Sequence, residues 1–176
     1  MKKREKKNDK HREEMFEQAV KKYTPRIYKM IYNMTKNYET TEDLTQDVFM
    51  NAWRGFKSFR GDASIYTWLY RIALNTVFKY RRQQARKGKI VSIDDIVPPK
   101  TQNNPEKFLV NKKDRHIIKK TLYSLPKKHQ EILILRYYED FDYLKISQTL
   151  GIPIGTVRSR LHRALNKLEE LVRGKR

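Results

Sequence analysis

Basic and hydrogen-bonding side chains are concentrated near the C-terminus, in the segment GTVRSRLHR at residues 155–163. Arginine pairs with guanine edges in the major groove, while serine and threonine bond bases or phosphates. The same segment carries an apolar stripe at helical steps, so these side chains are expected on the opposite face of an amphipathic helix. The pattern indicates a helix that reads duplex DNA, and a merely solvated basic helix is the alternative. The candidate DNA-facing residues are Thr156, Arg158, Ser159, Arg160, His162 and Arg163.

A second helical pattern lies immediately before this helix and meets it at Gly151. Gly151 is able to take the left-handed conformation that ends a helix, and Pro153 suits the first turn of the next one. A short glycine-containing turn between two helices is the sequence form of a helix-turn-helix, whose second helix enters the major groove. The predicted apolar sides are Tyr143, Leu144, Ser147 and Leu150 in the first helix, and Val157, Leu161, Leu165 and Leu168 in the second.

Composition restricts the class of protein. The 176 residues carry a formal net charge of +20, and so basic a chain is drawn to polyanions, of which the phosphate backbone is the commonest. No segment has the uninterrupted apolar length of a membrane span, and no cysteine is present for disulfides or thiolate metal sites. Residues 1–12 form a charged tail rather than a secretory signal. We expect a cytoplasmic protein in which that tail is disordered.

The N-terminal part of the chain follows the helical period from Glu13, and Pro25 predicts a kink or a break near Thr24. A second helix is predicted to start at a threonine cap, either Thr40 or Thr41. One side of that helix is the most acidic surface of a basic protein, so it is either a solvated face or the docking site of a basic protein partner. The predicted inward residues are Leu44, Val48, Ala52 and either Phe49 or Trp53, and the acidic side consists of Asp43, Gln46, Asp47 and Asn51.

A loop containing Gly61 precedes a third helix, which Ser64 is predicted to cap. Aromatic rings interleaved with arginine and asparagine beside a flexible loop suit single-stranded DNA, whose exposed bases stack on rings. Ordinary core packing of the rings is the alternative. The predicted inward stripe of this helix is Ile65, Trp68, Leu69, Ile72, Thr76 and Tyr80, and the side chains that face away from it are Tyr66, Arg71, Asn75, Lys79 and Arg82.

Residues 88–104 contain a Pro-Pro pair and no helical stripe, so they are predicted to be a linker that lies against a partner surface or in a channel. Further helices are predicted to begin at Pro105 and at Leu125-Pro126. The sequence therefore predicts an all-α protein with two small helical domains joined by an extended linker. The predicted organisation is a tail at 1–12, an N-terminal domain at 13–87, the linker at 88–104 and a C-terminal domain at 105–174.

Three stretches carry a family resemblance: EDLTQDVFMNAW, FRGDASIYTWLYRIALN and LPKKHQEILILRYYEDFDYLKISQTLGIPIGTVRSRLHRAL. In their order and spacing the chain resembles the extracytoplasmic-function sigma factors, the small two-domain initiation factors of bacterial RNA polymerase. The resemblance covers nearly the whole chain beyond the tail. It implies a non-enzymatic protein that binds core RNA polymerase, recognises the −35 and −10 promoter elements and promotes DNA melting. It also implies an anti-sigma factor as a partner.

The resemblance implies a role for each matching residue, and the linker would thread towards the RNA exit path of the polymerase. The coiled coil of the largest polymerase subunit is expected at Asp43, Gln46, Asp47, Phe49 and Trp53. The −10 element is expected at Arg60, Gly61, Asp62, Ser64, Tyr66, Arg71 and Asn75, with Lys79 and Arg82 on phosphates. The −35 element is expected at Thr156, Arg158, Ser159, Arg160, His162 and Arg163. The chain departs from the family at Lys79, Lys145 and Ser147, where the family often has Asp, Glu and Ala.

Two other functions fit parts of the sequence. A stand-alone helix-turn-helix regulator would bind duplex operators without polymerase, but it leaves the acidic helix and the aromatic loop unexplained. A metal-dependent nuclease or integrase needs clustered carboxylates, whereas the acidic pairs 94–95 and 42–43 lie in the linker and at a capped helix start. The sequence predicts neither a metal ion nor a cofactor, since no ligand spacing relates His11, His116, His129 and His162.

Overall fold

The structure is a computed structural model that describes residues 2–59, 61, 63–87 and 112–174. Every regular element in these residues is a helix, so the all-α prediction is confirmed. The chain forms two compact units, Met1–Tyr80 and Arg81–Arg176. The linker predicted at 88–104 lies outside the described residues, and the predicted domain boundaries stay predictions.

The first unit is built from the helices α1 (Lys2–Thr35), α2 (Tyr38–Phe56) and most of α3 (Ile65–Arg86). α1 includes residues 2–12, which the sequence analysis expected to be a disordered tail. The difference has a local reason, because the lysine, arginine and glutamate residues that fill this stretch are strong helix formers.

α1 also continues through Pro25, so of the two alternatives predicted near Thr24, a kink or a break, the break is wrong. Proline removes one backbone hydrogen bond from a helix. The residues before and after it are nevertheless buried in one core, among them Phe16 and Ile27. The Thr24 hydroxyl also donates a hydrogen bond to the carbonyl of Val20 at 2.7 Å. Tertiary packing on both sides therefore holds the two halves of α1 in one helix.

The connection between α1 and α2 is short and hydrogen-bonded. Lys36 takes a left-handed φ of 52°, and the Asn37 side chain caps α2 by accepting a hydrogen bond from the Thr40 backbone N–H at 2.8 Å. The predicted threonine cap is therefore wrong. Thr41 is instead fully buried, and its hydroxyl lies 2.7 Å from that of Thr35, which ties the start of α2 to the end of α1.

The core of the first unit takes one face from each helix. The inward residues predicted for α2 are confirmed, because Leu44, Val48 and Ala52 are buried, whereas Phe49 is half-buried and Trp53 is exposed. Other fully or almost fully buried side chains are Ile27, Met30 and Ile31 from α1 and Leu69, Tyr70, Leu74 and Val77 from α3.

α3 buries a different face from the one predicted. Of the predicted stripe only Leu69 is buried, and the rest is half-buried. Apolar and aromatic residues occupy most of the circumference of α3, so periodicity alone does not choose the inward side. Half-buried Trp68 closes the edge of the core, with its ring centroid 5.1 Å from that of Phe59 and 6.0 Å from that of Phe56. The buried residues of α3 are Thr67, Leu69, Tyr70, Ala73, Leu74, Val77 and Phe78.

Residues 112–174 of the second unit form four α-helices and a π-helical segment. Pro126 stands at the N-cap of α5, as the predicted helix start at Leu125-Pro126 implies, while the predicted start at Pro105 lies outside the described residues. The helix α7 packs against the other three helices. The elements are α4 (Lys112–Ser124), α5 (Lys127–Leu133), the π segment (Ile134–Tyr138), α6 (Tyr143–Leu150) and α7 (Ile154–Arg173).

The helices α6 and α7 form the predicted helix-turn-helix. Gly151 ends α6 in the left-handed conformation, with φ 65° and ψ 42°, and Pro153 occupies the N-cap of α7. Asp142 caps α6 by accepting a hydrogen bond from the Lys145 backbone N–H at 2.7 Å. The Ser147 hydroxyl donates to the carbonyl of Ile152 at 2.6 Å and closes the turn.

The inward side predicted for α6 is wrong. Leu144 is 56% exposed and Tyr143 is 36% exposed, while the buried residues of the helix are Ile146 and Thr149. This eight-residue helix is too short for periodicity to fix its rotation, which its neighbours determine instead. For α7 the predicted stripe holds at Val157 and Leu161, and the next buried residue is Ala164, with Leu165 and Leu168 half-buried.

Candidate nucleic-acid interface

The outer face of α7 presents a row of hydrogen-bond donors. Burial of Val157 and Leu161 fixes the rotation of the helix, and the opposite side then faces solvent. No aspartate or glutamate occurs between residues 154 and 168, so the positive charge of this face is not neutralised within it. Of the predicted residues, Arg158, Ser159, His162 and Arg163 are exposed, and Thr156 and Arg160 are half-buried.

Local hydrogen bonds orient several of these side chains. Arg163 Nε donates to the carbonyl of Ser159 at 3.2 Å, and Ser159 Oγ donates to the carbonyl of Thr156 at 3.3 Å. His162 Nε2 lies 3.2 Å from Nδ2 of Asn166. The sequence analysis did not include Asn166, although its step of four from His162 is the signal that places both on one face.

His129 of α5 lies next to the same basic face. Burial lowers the pKa of the His129 ring, and the charges of Lys128, Arg163 and Arg160 lower it further. Its Nδ1 atom is buried and has no hydrogen-bond partner among the described residues. Both effects favour the neutral form of the His129 ring.

A second basic face runs along α3. Arg71, Asn75, Lys79 and Arg82 are all exposed, and their steps of four, four and three place them on one side of the helix. α3 contains no aspartate or glutamate. The structure thus brings together four of the predicted −10 residues in a single surface.

The loop before α3 contributes two further predicted residues. Gly61 is exposed and takes a φ of +80°, a conformation that glycine adopts without steric cost. The Ser64 hydroxyl accepts a hydrogen bond from the Thr67 backbone N–H at 3.1 Å, so the predicted Ser64 cap is confirmed. Arg60 and Asp62 lie outside the described residues.

Tyr66 is separated from the basic face of α3. At 100° per residue it lies about 140° around the helix from Arg71, and it packs towards α1 instead. Its ring centroid is 5.2 Å from that of Tyr23, and the Arg26 guanidinium lies 5.6 Å from the centre of the Tyr66 ring. The structure therefore does not join Tyr66 to the other candidates of α3.

The acidic side of α2 is exposed to solvent. Asp43, Gln46 and Asp47 are all exposed. Trp53 is 46% exposed and rests on Phe16 of α1, with ring centroids 5.1 Å apart. The predicted residues thus form a surface in which carboxylates adjoin a large apolar ring.

Met50 extends this surface and is 52% exposed. Met50 was not among the predicted residues, because a methionine in a helical pattern usually belongs to the core. Met50 is three residues from both Asp47 and Trp53, and this spacing indicates that all three lie on one side of α2.

The described residues contain no group of three or more His, Asp or Glu side chains that could hold a metal ion. None of the described helices is both long enough and apolar enough to cross a bilayer.

Comparison with known proteins identifies the family of this chain. A family model described as Sigma-70 region 2 matches residues 19–87, and one described as Sigma-70, region 4 matches residues 115–168. The ECF RNA polymerase sigma-E factor of Escherichia coli is 36% identical over an alignment of 137 residues, and the match covers 71% of this chain and 72% of that protein. The sigma-E factor of Haemophilus influenzae is 33% identical over an alignment of 135 residues, and the match covers 70% of each chain.

The chain belongs to the extracytoplasmic-function sigma factors. This sigma factor is therefore a transcription-initiation subunit of RNA polymerase. Its fold is similar to that of the sigma factor RpoE from Bartonella quintana, solved in complex with the anti-sigma factor NepR. The TM-score is 0.58 at 27% identity, with 92% of this chain and 98% of that chain covered. CnrH, solved with the cytosolic domain of CnrY, gives a TM-score of 0.59 at 21% identity over 93% and 91% of the two chains, which concerns the fold alone.

The three residues at which the resemblance implies a departure from the family, Lys79, Lys145 and Ser147, occupy different environments in this sigma factor. Lys79 is exposed on the basic face of α3. The Lys145 ammonium lies 3.9 Å from the centre of the Phe141 ring, so it covers an apolar side chain. Ser147 closes the turn of the helix-turn-helix through its bond to Ile152. Lys145 and Ser147 therefore take part in contacts of the fold, whereas Lys79 contributes a positive charge to a candidate DNA surface.

Proposed function

We propose that this sigma factor divides promoter recognition among three exposed surfaces. The acidic face of α2 docks on core RNA polymerase, the loop with α3 holds the melted −10 strand, and α7 reads the −35 duplex. The observation that supports this most is the separation of charge. In a chain of net charge +20, the faces on α3 and on the first three turns of α7 lack carboxylates, while the face on α2 is lined with them.

The polymerase contact is proposed at Asp43, Gln46, Asp47, Phe49 and Trp53. Two exposed carboxylates would repel DNA and attract a basic protein surface, which makes association faster and more selective. Trp53 supplies the large apolar area that anchors an interface, since partly exposed aromatic rings are enriched among the residues that dominate binding energy. We add Met50 to this surface because it is exposed between Asp47 and Trp53.

The −10 contact is proposed at the loop and on α3. A base that leaves the duplex loses its stacking energy, and contacts in a pocket offset that cost. Gly61 gives the loop a backbone conformation that other residues adopt only with strain. Arg71 and Asn75 supply donors for base edges, while Lys79 and Arg82 supply positive charge for phosphates. Arg60, Asp62, Ser64 and Tyr66 complete the proposed set.

The −35 contact is proposed at the exposed face of α7. In a helix-turn-helix the N-terminal part of the second helix contacts base edges in the major groove. Arg158 and Arg163 are the candidates for guanine, because arginine pairs with guanine in a bidentate way. Thr156, Ser159, Arg160 and His162 are the candidates for the remaining base and phosphate contacts.

Reconstituted transcription tests the proposed function. Mapping of transcript starts after overexpression supplies a promoter, and the purified chain is then added to bacterial core RNA polymerase on that template. We expect a run-off transcript that core polymerase alone does not give, and permanganate-reactive thymines at the −10 element. A chain that binds the promoter duplex by itself but neither binds core polymerase nor supports the transcript would instead be a stand-alone regulator.

We also propose that an anti-sigma factor binds this chain. The support is the Bartonella quintana RpoE, which was solved with its anti-sigma factor NepR and is 27% identical to this chain. A candidate anti-sigma factor, added in increasing amounts to the reconstituted assay, is expected to abolish the run-off transcript at a one-to-one ratio. A transcript that persists at saturating anti-sigma factor would contradict the pairing.

A further inference from the structure

α1 carries a basic, tyrosine-rich face that none of the three proposed surfaces uses. From residue 18 to residue 38 the chain contains five lysine or arginine residues, four tyrosines and no aspartate or glutamate. Lys22, Arg26 and Lys29 are exposed, and their steps of four and three place them on one side of the helix. Lys21 differs from them, because its ammonium lies 2.8 Å from the carboxylate of Glu17.

The positive charges on α1 lie beside a group of tyrosine rings. Lys22 Nζ is 5.5 Å from the centre of the Tyr23 ring, and the Arg26 guanidinium is 5.6 Å from the centre of the Tyr66 ring. The rings of Tyr23 and Tyr66 have centroids 5.2 Å apart and are both half-buried. Tyr70 supports Tyr66 from within the core, at a centroid distance of 5.0 Å and with 1% exposure.

This cluster adjoins the loop that is proposed to hold the −10 strand. Tyr66 stands in the first turn of α3, two residues after Ser64, which caps that helix. Tyr66 is the first ring of α3 after the loop, and the side chains of α1 that lie beside it are Tyr23 and Arg26. Tyr66 is separated around α3 from Arg71, so the cations within its reach come from α1.

We propose that this face of α1 is a second binding site for single-stranded DNA. Lys22 and Arg26 bind phosphates, and the accessible edges of Tyr23 and Tyr66 contact bases. Four residues rise about 6 Å along a helix, which spaces Lys22 and Arg26 for neighbouring phosphates of an extended strand. The inference rests on the proposed role of the loop and α3, and it extends the strand path from α3 onto α1.

A single strand fits this face better than a protein partner. Positive charge that tracks a backbone, combined with aromatic rings that accept any base, is the arrangement by which proteins bind single-stranded nucleic acid. A basic protein surface would be repelled by a face without carboxylates. An acidic protein surface would pair with the cations but would leave the accessible tyrosine edges without a stacking partner.

The test compares variants of the full chain for binding to an oligothymidylate of about 12 nucleotides. Fluorescence anisotropy is measured over a series of salt concentrations. The double variant Lys22→Gln/Arg26→Gln removes two charges and keeps most of each aliphatic stem. Each phosphate contact on a single strand contributes about 0.7 to the slope of log affinity against log salt. We therefore expect the slope to fall by about 1.4 and the affinity to fall on the order of tenfold at about 0.1 M salt.

The matched control is Lys21→Gln, on the same helix. Because Glu17 already neutralises Lys21, we expect this variant to keep nearly the wild-type slope. A reduction of the slope in the control of half that in the double variant or more would overturn the inference, because the control removes one charge and the double variant two, so only the net charge would then matter. Circular dichroism checks that both variants keep the wild-type helix content.

A variant of α3 separates this inference from the proposed function. Arg71→Gln/Lys79→Gln is expected to weaken strand binding as well. If it does while Lys22→Gln/Arg26→Gln binds like the wild type, the site on α1 is wrong and the proposed −10 surface stands. If the wild-type chain does not bind the oligothymidylate, both strand-binding proposals are wrong. If the α1 variant no longer binds core polymerase but still binds the strand, the face binds protein and the inference is overturned.

Discussion

Arg158 and Arg163 are held in different ways on the exposed face of α7. Arg163 Nε is bonded to the carbonyl of Ser159, which fixes the direction of its guanidinium. Arg158 lies beside the ring of Tyr143, with its guanidinium carbon 5.9 Å from the ring centre. Preorganised donors lose less side-chain entropy on binding. We therefore regard these two arginines as the residues that carry most of the −35 specificity.

Replacing either arginine with alanine is expected to weaken promoter binding by about 1–3 kcal/mol for each base that the arginine no longer reads. The measurement is competition between the promoter and a copy in which single −35 base pairs are changed. The variant should lose its preference at one position, whereas removal of a phosphate-binding side chain would weaken all sequences alike. Arg173→Ala is the control, because Arg173 lies at the end of α7 and pairs with Glu169 at 2.6 Å. Unchanged promoter preference in both variants would contradict the −35 assignment.

His129 is expected to make the stability of the second unit depend on pH. Its pKa is lowered below the ordinary value of 6.5 by burial and by Lys128, Arg163 and Arg160. A group with a depressed pKa in the folded state binds fewer protons when folded than when unfolded. The stability that its neutral form contributes is therefore complete above pH 6.5 and is lost as the pH falls through the folded-state pKa.

The variant His129→Gln is expected to remove part of this acid sensitivity. Urea unfolding at a series of pH values between about 7 and 5 measures the free energy of unfolding of both proteins. The wild type should lose more stability than the variant over this window. His162→Gln is the control, since His162 is exposed on α7. Parallel stability curves for wild type and His129→Gln would show that the ring does not titrate in this way.

At the level of the elements, capping residues determine where α2 begins and where α6 begins and ends. The start of α2 is capped by Asn37, the start of α6 by Asp142, and the end of α6 by Gly151 in the left-handed conformation. Each cap satisfies backbone groups that a helix terminus leaves without intrahelical partners. Because α2 carries the proposed polymerase contact and α7 follows α6, these caps also position the candidate surfaces.

Removing the cap of α2 is expected to destabilise the first unit. Asn37→Ala deletes the acceptor of the bond from the Thr40 backbone and should cost about 1 kcal/mol, whereas Asn37→Asp keeps an acceptor and should be close to neutral. The midpoint of urea unfolding measures both. Thr40→Ala tests the rejected threonine cap, and it should have a smaller effect than Asn37→Ala. A larger loss of stability in Thr40→Ala than in Asn37→Ala would show that Thr40 is the N-cap of α2.

The end of the π segment stores strain at Asp140, whose φ is 50°. Asp140→Gly is expected to raise the free energy of unfolding by about 0.5–1 kcal/mol, because glycine takes this conformation without a Cβ penalty. Removal of the ion pair matters little, since Asp140 and Arg136 are 3.8 Å apart and the Asp140 side chain is 75% exposed. Asp140→Ala loses the same carboxylate and keeps a Cβ, so it should not stabilise. Equal thermal midpoints for the two variants would exclude strain as the cause.

At the scale of the whole molecule, the exposed carboxylates of α2 and the basic faces of α3 and α7 lie on different helices. A chain with a net charge of +20 is attracted to DNA everywhere, in a way that depends on salt but not on sequence. Its exposed carboxylates on α2 create one area that DNA avoids. If the proposed surfaces are correct, we expect the same basic protein to bind a nucleic acid and a protein at the same time without competition between the two.

Neutralising the acidic area should therefore separate polymerase binding from DNA binding. Asp43→Asn/Asp47→Asn is expected to weaken the affinity for core polymerase by about 1–2 kcal/mol, or about 5- to 30-fold. Its affinity for promoter duplex should stay the same or rise slightly. The control is Glu13→Gln/Glu14→Gln, which removes two exposed carboxylates from α1. An unchanged affinity for core polymerase in the α2 variant would show that the acidic face is only solvated.

The sequence by itself determined the features that depend on neighbours along the chain. Helical periodicity indicated an all-α fold, Gly151 marked the turn of the helix-turn-helix, Ser64 marked the cap of α3, and the order of three motifs indicated the family. These features follow from local backbone preferences and from residue types, so they do not depend on how one helix packs against another. The same reasoning placed Asp43 and Asp47 on one side of α2.

Only the tertiary structure decided which side of each helix is buried. α3 carries apolar residues around most of its circumference, and α6 has only eight residues. The rotation of both helices therefore depends on the helices that pack against them. Packing also keeps α1 continuous through Pro25. It buries Thr41, and Asn37 caps α2 instead. It joined Tyr66 to Tyr23, far away in the sequence, rather than to Arg71. Such contacts between distant residues leave no periodic signal in the chain, because they depend on how separate helices fill a common core.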